Sequence, residues 1–479
     1  MTVNHSELSS GADRAQRGAG WVLALLLLIN IFNYIDRQLL AAVEPAVRRT
    51  FFEKDVSSDA DTTNEPDRLG MDGKMAIGPA VDAGFGESPV DGESDGSLFT
   101  GQYGKMGLLS TAFLVTYMLS SPIFGWLAER GRRWIWIAAG VILWSLASGA
   151  SGLATTFGAM LLTRCFVGIG EGAYGPIAPA MLSDCFPVRT RGLILSCFYL
   201  AMPVGGAIGY ALGDFFAGLK PEAESWRWGF YAVVIPGLLL GIWAMFMREP
   251  VRGFSDGAKP PTRRLGLRDY LVLLRTPSYV LNTAGMTAMT FAIGGVSFWM
   301  PAYLKEVRDV APVWGISPVT FFGIVTAVAG LLATLLGGIT GDLLRRWVSG
   351  SYFLVSAVGM FGCAVCLVGL VLAPFPAAWI LVFFAVFCLF FNTGPSNTII
   401  ANVTHPAMRA TAFALTILVI HTLGDVISPP IVGLVAERWN FDAGFLLMAA
   451  FAALGGAFWL VGVRYLQRDT DHAVHRFDT

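Results

Sequence analysis

Gly125-Trp-Leu-Ala-Glu129-Arg-Gly-Arg132-Arg133-Trp134 and Gly338-Ile-Thr-Gly-Asp342-Leu-Leu-Arg345-Arg346-Trp347 are one pattern written twice. In each, an acid follows the glycine by four, two arginines follow the acid by three and four, and a tryptophan closes the string. One such string is weak evidence. Two of them, each at the end of a long apolar run, point to a duplicated architecture. A second pairing supports the duplication: Pro187 and Arg191 precede one apolar run, and Pro406 and Arg409 precede another with one residue of slippage.

The runs around these strings have the length of membrane spans. About 20 mostly apolar residues cross a bilayer as a helix. Twelve segments qualify: Trp21–Val47, Tyr103–Ala128, Trp134–Leu153, Phe157–Asp184, Gly192–Ala217, Trp228–Met247, Tyr279–Tyr303, Val319–Leu343, Tyr352–Leu372, Ala377–Ala401, Ala410–Val435 and Phe441–Val463. They are numbered spans 1 to 12, and the repeated strings follow spans 2 and 8. Composition agrees: of 479 residues 54% are hydrophobic and 14% charged, with mean hydropathy +0.60. A soluble chain carries about a quarter charged residues. The expectation is an all-α membrane protein of twelve transmembrane helices in two pseudo-symmetric six-helix bundles. Parallel repeats related by an axis along the membrane normal are a known transporter plan.

Lysine and arginine in short loops set orientation. Loops after spans 2, 4, 6, 8 and 10 hold Arg130, Arg132 and Arg133; Arg189 and Arg191; a cluster from Arg248 to Arg268; Arg345 and Arg346; and Arg409. The opposite side has Lys220, Arg227, Lys305, Arg308 and Arg438. Both termini are therefore expected in the cytoplasm. The domain reading is a tail at 1–20, a first bundle at 21–247, a cytoplasmic linker at 248–275, a second bundle at 276–466 and a tail at 467–479. Residues 48–101, rich in Asp, Glu, Gly, Ser and Pro, are expected to form a disordered outer loop. The N-terminus runs into Trp21 without a cleavage site, so no signal peptide is expected.

Other functions find little support. A net charge of -1, with no basic arm, gives no reason to expect nucleic acid. The six cysteines lie in or beside apolar runs, and Cys363 with Cys366 reads as packing rather than redox or metal chemistry. No metal-ligand cluster, nucleophile–base set or phosphate loop is visible, so neither cofactor nor metal is expected and the chain is not read as an enzyme.

Ionisable residues inside spans are costly and mark sites. Span 1 carries Asn33, Tyr34, Asp36 and Arg37; span 4 carries Arg164 and Glu171. Successive residues lie about 100° apart on a helix, so Asp36 and Arg37 cannot face one point. Arg164 and Glu171, seven apart, share a face about 10 Å apart along the axis. The expected pairing is Asp36 with Arg164, leaving Glu171 deeper. Asp36, Glu171 and Arg164 are then the proton-coupling set, with Arg164 as the switch. His421 and Asp425 in span 11 share a face, and His421 could carry a proton. Arg37, Arg164, Asn33, Tyr34, Asn392, Asn397, Trp299 and His421 are the substrate-binding candidates. Gly125, Glu129, Arg132, Arg133, Asp342, Arg345 and Arg346 form a conformational latch, whose acids can pair with arginine or cap a neighbouring helix. Gly205, Gly206, Gly209 and Gly213, with Pro203, offer span 5 a smooth packing face. Gly394-Pro395, Pro301 and Pro429-Pro430 should bend or interrupt spans 10, 7 and 11.

The string Gly125–Trp134 resembles the loop signature of the major facilitator superfamily. Asn33-Tyr-Ile-Asp36-Arg37, Arg164–Gly175 and Phe298-Trp-Met-Pro301-Ala-Tyr303-Leu304 resemble the spinster family within it. Glu129 stands where the signature more usually has Asp, and the 48–101 insert exceeds the compact outer loop of the family. The resemblance implies proton- or gradient-linked movement of an amphiphile such as a lysophospholipid or sphingosine-1-phosphate. The expectation is a secondary active, proton-coupled, alternating-access transporter of a lipid-like substrate, working as a monomer in the plasma (inner) membrane. A carrier of drugs or small organic anions is the alternative within transport; a membrane receptor or enzyme is the alternative outside it.

Overall fold

The computed structural model describes residues 15–53, 102–219, 224–256 and 267–475. Most of the 48–101 insert, residues 1–14 and 476–479, and the middle of the linker lie outside the described residues. The expected disorder of the outer loop falls there for most of its length, but its first residues are helical: span 1 runs to Arg48 and continues as a π-helical turn, Arg49–Glu53.

Ten described segments are long and apolar enough to cross a membrane. Spans 4 and 7 complete the twelve. Span 4 is divided into two helices, Phe157–Tyr174 and Ile177–Cys185, and carries Arg164 and Glu171. Span 7, Pro277–Ala302, is diluted by Asn, Thr, Ser and Gly. The others are Ala19–Arg48, Gln102–Arg130, Arg133–Leu153, Arg191–Tyr199 with Ala201–Leu219, Arg227–Phe246, Pro318–Leu344, Ser351–Leu372, Ala378–Phe391 with Thr393–Val403, Arg409–Ile420 with Ser428–Arg438, and Phe441–Gly462.

The duplication is carried into the packing. In the first half span 1 packs on span 5, span 3 on span 6 and span 2 on span 4. In the second, span 7 packs on span 11, span 9 on span 12 and span 8 on span 10. The halves meet in the same swapped way, span 2 along span 11 and span 8 along span 5. Every pairing recurs six spans later.

Small residues make these crossings close. A Cβ added at Gly209 would come within 2.6 Å of the Ile35 carbonyl oxygen, so span 5 lies directly on span 1. The expected helix breakers also act. Span 10 turns at Asn392, just before Gly394-Pro395, and span 11 restarts at Ser428 with proline in its first turn. Pro301 lies at the end of span 7, which continues as a π-helical turn, Tyr303–Val307. The break in span 4, at Gly175-Pro176, is the pseudo-equivalent of that in span 10.

Beyond span 12 the helix Leu466–His475 is docked, with Leu466, Asp469 and Ala473 buried. The Asp469 carboxylate accepts from the Ser278 backbone N–H at 2.9 Å and so caps span 7.

Candidate functional site

Span 1 presents two different faces from adjacent residues. Arg37 points between the halves, where its guanidinium meets the Glu171 carboxylate of span 4 at 2.6 Å. Three rings surround that guanidinium: Tyr34, Phe113 and Tyr117, with centroids 5.2, 5.0 and 4.9 Å away. Such an aromatic box attracts a cation through the negative ring faces. Glu171 is fully buried, yet the Arg37 side chain keeps 21% of its exposure. Oε1 of Glu171 has no partner among the described residues.

Asp36 turns into the first bundle instead and accepts a hydrogen bond from Ser148 of span 3. Arg164 donates to Ser151 and lies against the Phe230 ring at 5.3 Å. The expected ion pair between Asp36 and Arg164 is therefore not made, and the pair that exists is Arg37 with Glu171. Arg164 lies about two turns from Glu171 on the same helix.

The facing wall belongs to span 11. His421 Nδ1 lies 3.0 Å from the Asp425 carboxylate, within a π-helical turn, His421–Asp425. The wider turn replaces the regular ladder and aims both side chains inward. The Tyr117 ring meets the imidazole of His421 edge-on at 5.7 Å, so aromatic contact joins the two halves. Between them is a cavity of about 260 Å³. Asn33, Tyr34, Arg37, Glu171, Asn397 and His421 line it, and Met286, Met289, Ile417 and Ile420 add an apolar side. Tyr199 donates to the Asn397 amide oxygen at 2.9 Å, another bond between the halves.

The cavity is closed towards the face that carries the arginine-rich loops. Glu129 accepts from the Thr411 backbone N–H at 2.9 Å, in the first turn of span 11. Asp342 accepts from Gly192 and Leu193 at 3.1 and 2.8 Å, in the first turn of span 5. Each acid also takes a tyrosine hydroxyl, Tyr270 for Glu129 and Tyr352 for Asp342. Both latch acids are thus caps for helices of the opposite half, where the peptide dipoles favour negative charge. Gly125 and Gly338 allow the approach. A Cβ at Gly125 would lie 3.0 Å from the Ala410 carbonyl oxygen, and one at Gly338 2.6 Å from that of Gly192. The four latch arginines divide. Arg133 is buried and paired to Asp184 and Glu249 at 2.5 and 2.7 Å. Arg345 lies over the Tyr352 ring at 5.6 Å, whereas Arg132 and Arg346 are exposed.

Three predicted substrate residues do not reach the cavity. Arg164 is held inside the first bundle. Asn392 donates to the Leu389 carbonyl at the break of span 10. Trp299 donates to the Pro429 carbonyl at 2.9 Å and packs on Phe441. Conversely, Phe113, Tyr117 and Tyr199 were not among the predicted residues. The i,i+4 spacing of Phe113 and Tyr117 was the available signal, and in an apolar span it looks like ordinary packing. Among the described residues no cluster of metal-binding side chains occurs.

A comparison with known proteins finds the Major Facilitator Superfamily profile over residues 26–429. The chain is 34% identical over 396 residues to the sphingosine-1-phosphate transporter SPNS2 of Danio rerio, covering 77% of this chain and 78% of that one. It is 30% identical over 429 residues to protein spinster of Drosophila melanogaster, covering 88% of this chain and 62% of the relative. Among solved structures, a bacterial homologue of the human lysosomal transporter spinster, inward-facing and unoccupied, aligns with TM-score 0.61 at 20% identity, over 95% of this chain and 99% of that one. The human organic anion transporter MFSD10 aligns with TM-score 0.67 at 14% identity, over 93% of this chain and 100% of that one.

Proposed function

As a member of the major facilitator superfamily, in its spinster branch, this chain is a multi-pass membrane transporter and not an enzyme, and we propose that it couples proton movement to the carriage of a lipid-like anionic amphiphile by alternating access. The observation that carries this reading is the Arg37–Glu171 pair: a half-buried guanidinium, boxed by rings, in the wall of a cavity with an apolar side. A phosphate or phosphate ester accepts two parallel N–H bonds from guanidinium as a carboxylate does. An arriving anionic head competes with Glu171 for Arg37. Glu171, released in a dry site, then takes the proton, since a buried unpaired carboxylate is costly. Asp36, one residue from Arg37 and inside the same bundle, is the second member of the proton path, and Arg164 stabilises its charge from within the bundle. Asn33, Tyr34 and Asn397 supply polar contacts to the head, and His421 with Asp425 forms the facing charged group.

The cavity of about 260 Å³ holds a head group and the first part of a chain rather than a whole lipid. The remainder of the chain lies along Met286, Met289 and Ile417, whose adaptable surfaces suit an alkyl tail. SPNS2 of Danio rerio is named for such a molecule, a phosphate head on a long chain.

The face with the arginine-rich loops is the cytoplasmic one, so both termini are cytoplasmic and the gate that is closed in this conformation is the cytoplasmic gate. One chain encloses the whole cavity, so the working unit is a monomer, in the plasma membrane. The test is uptake of labelled lysophospholipids and phosphorylated sphingoid bases by proteoliposomes under an imposed pH gradient. Small soluble organic anions serve as the competing class. Transport of the soluble anions in preference to the lipids would overturn the lipid reading.

A further inference from the structure

Asp184 precedes Arg191 by seven residues, and Asn402 precedes Arg409 by seven. The two pairs are equivalents in the duplicated fold, at the junctions of spans 4 and 5 and of spans 10 and 11. Each arginine reaches the other half. Arg409 donates to Asp184 at 2.6 Å, and Arg191 donates to the Asn402 amide oxygen at 2.6 Å. The duplication is therefore unequal at one place: Arg409 gains a carboxylate across the interface, and Arg191 gains an amide.

The linker between the halves supplies the missing charge. After span 6 it runs along the cytoplasmic ends of the first bundle. Arg252 donates to the Ala128 and Gly131 carbonyl oxygens at 2.7 Å, at the end of span 2. Ser255 donates to the Asp184 carbonyl oxygen at 2.9 Å. The short turn Phe254–Asp256 then inserts Asp256, whose side chain is only 4% exposed, between the two arginines. One carboxylate oxygen lies 3.1 Å from Arg191 and the other 3.0 Å from Arg409. Burial opposes its ionisation, but the Arg191 and Arg409 guanidinia hold its carboxyl below the usual carboxylate range. The closed cluster then contains three cations, Arg133, Arg191 and Arg409, and three anions, Asp184, Asp256 and Glu249.

We infer that Asp256 is a positioning residue of the transport cycle: a linker carboxylate, held by Arg191 of the first half, that locks the cytoplasmic gate by pairing across it with Arg409 and so supplies the interfacial charge that Asn402 of the second half lacks. The turn is fastened to the first half by Arg252 and Ser255. Opening therefore withdraws Arg409 from both Asp184 and Asp256, while Arg191 keeps Asp256 and loses Asn402. The Asn402 amide nitrogen has no hydrogen-bond partner among the described residues. An aspartate there would put a second oxygen where an unpartnered N–H now lies, and would give Arg191 a carboxylate from the second half.

This inference rests on alternating access but not on the lipid substrate, and its test uses no substrate. Spin labels at Arg132 and Trp347, both exposed and on loops of opposite halves, report the cytoplasmic gate in full-length protein in nanodiscs. The native cysteines are replaced beforehand. Asp256→Asn should raise the ratio of open to closed distances on the order of tenfold, the scale of a typical coupling between two conformations. Asp256→Glu should stay near wild type. Asp256→Asn combined with Asn402→Asp should return towards the wild-type ratio, since the lost carboxylate is restored on the other side of Arg191. A wild-type distance distribution in Asp256→Asn overturns the inference. If Asp256→Asn fails to fold, the double variant decides: a folded, closed double variant supports the inference, and one as defective as Asp256→Asn alone overturns it. A chain that shows these shifts but moves no lipid retains this role for Asp256 and loses the substrate reading.

Discussion

Arg37 and Glu171 meet at 2.6 Å in the wall between the halves, where Arg37 is partly open to the cavity and Glu171 is fully buried. The exposed partner can exchange ligands, and the buried partner must then respond. This asymmetry separates the roles of the two residues and makes them separately testable.

Glu171→Gln retains the shape of the acid but cannot gain or lose a proton. It should flatten the pH dependence of uptake while leaving substrate binding within about threefold, since Arg37 stays available to the head group. Uptake against imposed pH gradients, with binding measured separately, checks both parts. A wild-type pH profile in this variant removes Glu171 from the proton path and moves attention to His421 and Asp425.

Arg37→Lys keeps the charge and loses the planar fork that sits among Tyr34, Phe113 and Tyr117. Lysine cannot make the bidentate contact or stack as guanidinium does. Affinity for a phosphate-headed substrate should fall on the order of tenfold or more, equivalent to at least about 1.4 kcal/mol. Arg37→Ala should abolish uptake. Equal affinity in wild type and Arg37→Lys would show that the head group sits elsewhere.

Much of the fold was legible because hydropathy and a repeated loop string report length and duplication directly. The capping role of Glu129 and Asp342 was also within reach, since an acid near the membrane edge has few other partners. The pairing inside the first bundle was not. Sequence spacing says that Arg164 and Glu171 share a face, but not which face of span 1 meets them, and it is Arg37 that faces Glu171 while Asp36 turns to Ser148. Phe113 and Tyr117 were hidden because an aromatic residue in an apolar span has no distinguishing pattern. Asp256 was hidden because a linker has no periodicity that would single out one acid.

The two latch acids predict opposite-half effects. Asp342→Asn weakens two backbone contacts to the first turn of span 5, and Glu129→Gln weakens one to that of span 11. A helix cap is worth about 1 kcal/mol, so each change should favour the cytoplasm-open state several-fold, Asp342→Asn more than Glu129→Gln. The protein should remain folded. Distances across the gate measure this, and unchanged distances with unchanged transport would leave the strings as topology anchors only.

The sign of any contribution from Asp256 to pH dependence follows from its depressed carboxyl. Its stabilisation of the closed gate is fully present above the ordinary aspartate value of about 4. It is lost only as pH falls through the lower value held by Arg191 and Arg409. Asp256 therefore contributes nothing to pH dependence near neutrality. Asp256→Asn should open the gate by the same factor at about pH 6 and pH 8. A factor that changes between those two conditions would mean that Asp256 titrates in that range.

Gly338 and Gly125 occupy equivalent places but do not tolerate change equally. A Cβ at Gly338 would meet the Gly192 carbonyl oxygen at 2.6 Å, and backbone cannot swing aside. At Gly125 the nearest carbonyl, that of Ala410, is 3.0 Å away, which a shift of a few tenths of an ångström relieves. Both contacts are between halves, so alanine there penalises the closed gate without touching either bundle's interior. Gly338→Ala should therefore shift the protein strongly towards the cytoplasm-open state at nearly unchanged thermal stability, with Gly125→Ala shifting it less. Gly337 supplies the control: an added Cβ there strikes the Phe391 carbonyl of span 10, within the second half. Gly337→Ala should lower thermal stability and leave the gate ratio near wild type. If Gly125→Ala proves as disruptive as Gly338→Ala, span 11 cannot yield the few tenths of an ångström that these distances require. If Gly338→Ala lowers stability as Gly337→Ala does, the crossing of spans 5 and 8 is part of the folded core rather than a surface that separates.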